Sequence, residues 1–219
     1  NCGIMDQFAS AMGKKDYAIF LDTSDLRYAY APVDLSEYAL VITNSHKIRG
    51  AFDAKYNERR LECERALAEL QSVVAIQSLG ELTPECYEQV KEMIVEPVLV
   101  KRAAHAVYEN QRTMDALQAL KDYDAVKFGQ LMTESHRSLR DNYEVTGKEL
   151  DVLVEEALKV PGVLGSRMTG GGFGGCTVSL MKREAVEMFI IEVGKNYTER
   201  TGYYADFYNV EVGDGARAL

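Results

Sequence analysis

The chain's candidate chemistry is concentrated in the run from Ser166 to Leu180, SRMTGGGFGGCTVSL, which sets Gly170, Gly171, Gly172, Gly174 and Gly175 within six positions. Glycine reaches φ > 0 freely and lets a ligand approach the backbone, at a cost in chain entropy, so this density answers either a tight turn or a ligand contact. Gly170, Gly172 and Gly175 spell G-x-G-x-x-G, but a dinucleotide-binding motif must follow a strand and open a helix. Here strand-like Cys176 to Leu180 follows instead. A phosphate loop of the G-x-x-x-x-G-K type fails as well, because Gly171 stands where the lysine is needed. Two readings stay open on these residues: a hairpin with no ligand, and a loop facing a substrate.

A second candidate is Asp6. Ile4, Phe8 and Met12 recur at helical spacing, which predicts a short amphipathic helix ended by Gly13. At about 100° per residue Asp6 falls roughly opposite that stripe, toward a cleft or water, in a first turn whose macrodipole favours negative charge. Such a carboxylate can act as a general base or simply be solvated.

The remaining reactive side chains are scattered. Cys2, Cys63, Cys86 and Cys176 form no C-x-x-C pair and lie near no histidine pair, and His46, His105 and His136 are far apart. This excludes a zinc motif or a small disulfide scaffold and predicts reduced thiols in a cytoplasmic protein, with structural or surface histidines. The formal charge of −9 comes without any basic block, which argues against a nucleic-acid or anionic-membrane partner. No apolar run approaches the ~20 residues of a membrane span, and no signal peptide is visible.

The elements that must position these groups read as follows. Tyr17–Thr23 and Arg27–Val33 are β-rich runs joined as a hairpin, and Tyr38–Thr43 is a mostly buried strand. A long helix covers about Phe52 to Leu70, with Tyr56, Cys63, Leu67 and Leu70 on one stripe. Thr83-Pro84 starts a helix, Pro97 starts another that runs to about Leu120, and a third spans Asp124–Arg140. Thr146-Gly-Lys-Glu149 has capping-box spacing ahead of Leu150, Leu153, Ala157 and Leu158. Strands Val163–Met168 and Cys176–Met181 flank the glycines, and a helix (Glu184–Arg200) and a strand (Ala205–Val210) close the chain. Antiparallel strands separated by helical pairs make an α+β fold, and the last third suits a ferredoxin-like antiparallel sheet with helices on one face.

Three stretches taken together, Asn1-Cys-Gly-Ile-Met-Asp-Gln-Phe8, Ile42-Thr-Asn-Ser45 with Tyr56-Asn-Glu-Arg-Arg60, and the glycine loop, resemble the galactokinases of the GHMP kinase superfamily, in order over essentially the whole chain. The resemblance implies a GHMP kinase C-terminal domain at 37–219, preceded at 1–36 by a remnant of the N-terminal domain. The family's sugar-anchoring and ATP phosphate-loop segments are expected ahead of Asn1, so the chain, which opens without an initiator Met, is expected to be a carboxyl-terminal portion and inactive alone. Residues 1–33, without their expected sheet partners, are expected to be poorly ordered or to pack on a neighbour. The implied parent activity is transfer of the ATP γ-phosphoryl group to the C1 hydroxyl of α-D-galactose, in galactose metabolism, with Mg2+ ligands in the missing segment. By the same resemblance Asp6 is the catalytic base, Gly3 lies against the sugar, Tyr56 bonds a ring hydroxyl, and the loop Thr169, Gly170, Gly171, Gly172, Phe173, Gly174 and Gly175 shapes the active site. Asn44 and Ser45 are weaker candidates at the sugar pocket. A non-catalytic sugar sensor derived from such a kinase is the alternative.

Overall fold

A computed structural model describes residues 3–48 and 52–217. A four-stranded, wholly antiparallel sheet in the order β4-β5-β3-β6 organises the fold. Its strands are β3 (Tyr38–Asn44), β4 (Val163–Thr169), β5 (Cys176–Lys182) and β6 (Asp206–Val210). That order, with β3 inside and β4–β5 a hairpin, is the ferredoxin-like arrangement expected. Its first crossover is enlarged: five helices, α2 (Phe52–Leu70), α3 (Pro84–Val90), α4 (Pro97–Lys121), α5 (Ala125–Ser138) and α6 (Lys148–Ala157), stand between β3 and β4.

The period of two along β3 decides the layers. Ala39 and Val41 point to one face, where Met181, the α6 residues Val152, Leu153 and Ala157, and Phe189, Val193 and Tyr197 of α7 (Val186–Thr201) form a closed core. A separate apolar cluster joins α2, α3 and α4 through Ala66, Leu70, Tyr87, Leu99, Ala103 and Val107. Between them α5 crosses β4 closely, since a Cβ added at Gly165 would stand 1.8 Å from the Gly129 carbonyl oxygen. Only a backbone-to-backbone approach fits there.

Thr83 caps α3 as expected, accepting from the Cys86 N–H at 3.2 Å with Pro84 in the first turn. Thr146 does not cap α6. The N-cap is Gly147 at φ +87°, with no side-chain cap; Thr146 is buried, and Glu149 reaches Lys47 instead at 2.8 Å. Charge pairing across elements outcompetes the local capping box. Helix α5 also ends earlier than expected and passes into a π-turn over Leu139–Tyr143.

The chain's opening is a smaller unit: α1 (Met5–Met12), then the antiparallel hairpin β1 (Tyr17–Leu21) and β2 (Tyr28–Pro32). Helix α1 has no buried residue. Phe8 meets Tyr28 edge-on at 5.5 Å, and the Tyr30 hydroxyl donates to Met12 O at 2.6 Å. The strip after β6 then crosses it: Gly215 N–H donates to Gly13 O at 2.8 Å, Ala216 N–H to Ser10 O at 2.7 Å, and Lys15 N–H to the Asp214 carboxylate at 2.9 Å. This segment therefore leans on its own chain's tail.

Candidate active-site loop and the residues around it

The glycine loop closes the β4–β5 hairpin, whose last pair is Thr169 with Cys176. Gly170, Gly172, Gly174 and Gly175 have φ of +74°, +82°, +123° and +89°, and Phe173 is left-handed too at +56°. Four of the five glycines are thus required by the turn's own path, and their density does not by itself demand a ligand.

Two neighbours hold the loop. On one side β3 ends against it: Ser45 N–H donates to Gly175 O at 2.9 Å, and a Cβ at Gly174 would lie 2.8 Å from Lys47 O. Ser45 is fully buried, its Oγ accepting from Lys47 N–H at 3.3 Å and its carbonyl from the Tyr197 hydroxyl at 2.7 Å. Asn44 Oδ1 accepts from His46 N–H at 3.1 Å. These two weaker candidates therefore do work at the strand end. Beyond them His46 Nε2 lies 2.8 Å from Asp206 Oδ2, and Lys47 pairs with Glu149. Burial would raise the Glu149 carboxyl, but the Lys47 ammonium holds it below the usual range.

On the other side Phe173 N–H donates to Val145 O at 2.7 Å, and the Phe173 ring packs on a small core of Leu139, Val145, Leu150 and Met168. Buried His136 pins β4 there, its Nδ1 accepting from Met168 N–H at 3.2 Å. Lys55, at the start of α2, places its ammonium 4.9 Å from the Phe173 ring centre. The next residue is Tyr56, and it is 37% exposed rather than part of the α2 core stripe. The apolar cluster of α2 begins only at Cys63, so Tyr56 lies outside it, next in sequence to the lysine that faces the Phe173 ring.

Gly3 and Asp6 belong to a different element. Asp6 is exposed in the first turn of α1, the expected placement, and a Cβ at Gly3 would meet nothing within 4 Å. Asn1 and Cys2 of the same motif lie outside the described residues. Cys63, Cys86 and Cys176 are free thiols, and no described helix is long and apolar enough to cross a membrane. Among the described residues no group of three or more His, Cys, Asp or Glu side chains could hold a metal.

A cavity of about 450 Å³ lies elsewhere, between the hairpin, α4, α5 and the sheet face that carries Leu40, Val178 and Leu180. It is lined from the Tyr38 end of β3, whereas the glycine loop abuts the Asn44 end. Burial in its wall pushes the Arg167 guanidinium down, with Nε donating to Met168 O at 3.0 Å. Neither the tail strap at 212–216 nor the bonds from Arg59 and Arg102 to the carbonyls of Tyr143 and Asn142 are legible in the sequence. The only trace of the strap is the Gly213-Asp-Gly215 triplet.

Residues 116–197 match the family described as GHMP kinases C terminal. The galactokinase of Clostridium acetobutylicum is 57% identical over all 219 residues, and that of Enterococcus faecalis 53%. The chain covers 56% and 57% of these proteins, so it spans little more than half the length of the relatives it matches. The structure of Lactococcus lactis galactokinase complexed with galactose superposes on the whole chain with a TM-score of 0.96 at 47% identity, over 56% of its own length. The structure of L. major mevalonate kinase in complex with R-mevalonate shares the fold alone, with a TM-score of 0.58 at 16% identity, covering 92% of this chain and 50% of that one. The chain is accordingly a galactokinase homologue throughout its length, carrying the GHMP kinase C-terminal domain in an α+β fold.

Proposed function

We propose that the full-length parent of this chain is a galactokinase and transfers the γ-phosphoryl group of ATP to the C1 hydroxyl of α-D-galactose. One observation carries the reading: similarity to galactokinases extends over all 219 residues, a span that contains the opening motif, the Tyr56 segment and the glycine loop. Asp6 accepts the proton of the C1 hydroxyl as its oxygen bonds to the γ-phosphorus, and the bond from that phosphorus to the ADP oxygen breaks. The products are galactose 1-phosphate and ADP. Phosphoryl transfer runs through a loose transition state, so positioning and charge stabilisation dominate and a weak base suffices.

The other roles follow the elements. Tyr56, half in water beside the loop, presents its hydroxyl to a ring hydroxyl of the sugar. Gly3 lets the sugar approach the backbone without a side chain between them. Thr169 to Gly175 shapes the wall next to the substrates and contributes rigidity rather than charge. We assign residues 1–36 to a remnant of the kinase's N-terminal domain and 37–219 to its C-terminal domain, in a cytoplasmic enzyme.

The 219 residues alone are inactive on this reading, because the family's ATP phosphate-loop motif is not among them, and such groups are worth ~10²–10³ in rate each. A coupled assay with ATP and galactose on the full-length parent and on this chain tests both statements. Turnover by the parent alone supports them. A parent that binds galactose without turning it over is a sensor and overturns the enzymatic reading; turnover by the short chain overturns its inactivity.

A further inference from the structure

Residues 142–145 are gripped from two directions. Arg102, 1% exposed, donates from Nη1 to Asn142 O, from Nη2 to Glu144 Oε2 at 2.8 Å, and from Nε to Glu62 Oε2 at 2.6 Å. Arg59 donates from Nε to Tyr143 O at 2.8 Å and from Nη1 to the same Glu62 oxygen at 2.9 Å. Glu144 is left-handed at φ +57°, and the Tyr143 ring stacks on His105 with centroids 4.4 Å apart. The next residue, Val145, holds the glycine loop through its carbonyl, which accepts from Phe173 N–H and leaves no room for a Cβ at Gly172. One four-residue segment therefore bonds both to α2, one turn after Tyr56, and to the loop.

A fully buried arginine is an expensive way to gain stability. Desolvation offsets most of what an ion pair returns, and apolar residues of similar volume commonly do as well; what a buried fork fixes is geometry. We infer that the Arg102–Glu62–Arg59 cluster is a positioning device: through residues 142–145 it sets the Tyr56 end of α2 against the glycine loop, and so sets the fit of the sugar. Arg102 and Glu62 touch no substrate and act through Tyr56. This rests on the reading above that Tyr56 and the loop belong to the sugar site.

The test uses the full-length parent with two sets of variants. Arg102→Met with Glu62→Leu removes the central ion pair, the melting temperature checking that the variant folds, and Arg59→Lys keeps the charge but loses the fork. Amide exchange at Phe173 reads the coupling without any turnover, and both variants are expected to speed it several-fold while the β3–β5 amides stay protected. The galactose KM is expected to rise about tenfold, the loss of one well-placed hydrogen bond, with the ATP KM unchanged. In a Tyr56→Phe background the same changes should add little further. Unchanged Phe173 exchange in a folded variant overturns the coupling. An unchanged galactose KM, or a full additional rise in the Tyr56→Phe background, overturns the action through Tyr56. Failure of the wild-type parent to phosphorylate galactose overturns the functional reading instead, and is seen before any variant is made.

Discussion

The glycine hairpin and helix α1 are assigned to one site, yet they are held in opposite ways. The hairpin continues two sheet strands, rests on a core of Leu139, Val145, Leu150 and Met168, and is bonded on both flanks by Ser45 and Val145. Helix α1, which carries Asp6, has no fully buried residue and is fastened by a few backbone bonds to the chain's tail and by two tyrosines of the β1–β2 hairpin. The wall proposed to shape the site is preorganised by packing, whereas the wall proposed to carry the base takes its position from distant chain. Precision in the second therefore depends on long-range contacts that local sequence does not specify.

That contrast can be broken by single substitutions in the full-length parent. Gly172→Ala puts a Cβ 2.1 Å from Val145 O at a φ of +82° and should cost about 3 kcal/mol or more in urea unfolding. Gly3→Ala enters open space and should stay within about 0.5 kcal/mol. Equal costs at the two positions would erase the distinction between a position that packing closes to a Cβ and one that leaves room for it.

The helical layer behind the loop sharpens it through pH. Burial pushes the His105 imidazole from 6.5 down to about 4. Between those values the unfolded chain takes up a proton that the folded chain refuses, so stability falls as pH drops through that window, by up to about 3 kcal/mol. Melting temperatures from pH 7 to pH 5 should decline in the wild type and flatten in His105→Gln; parallel curves would remove His105 as the cause.

The smallest effect belongs to the tail. Deleting residues 213–219 should speed amide exchange in α1 by releasing the bonds at Ser10 and Gly13, at a cost of about 1–2 kcal/mol or less. Protection in β4 and β5 should not change. A deletion that loosens both regions alike would mean the strap supports the whole fold.

Legibility followed the same divide. The strand at Tyr38–Thr43, the Thr83-Pro84 helix start and the long helices were readable because side-chain pattern and local structure agree there, although the strand buries alternate residues rather than nearly all of them. The glycine loop was readable as a turn, and its dihedrals account for it. Tyr56 was placed on a core stripe because periodicity registers apolar spacing but not where along α2 the neighbouring helices begin. Thr146 was misread because a capping box is a local signal and the Lys47–Glu149 pair spans 102 residues. Arg102 carries no signal of its role in the sequence, because only the topology that brings Glu62 and residues 142–145 around it makes it a buried clamp. Backbone-to-backbone straps such as Gly215 to Gly13 leave almost no side-chain trace.

Galactose phosphorylation by the full-length parent, with Asp6 intact and as Asp6→Ala, is the most direct measurement. Turnover should fall by ~10²–10⁴, while the melting temperature stays put because the residue is exposed and caps nothing. An Asp6→Ala enzyme that keeps more than about a tenth of its turnover, against the contribution expected of a general base, would contradict the account.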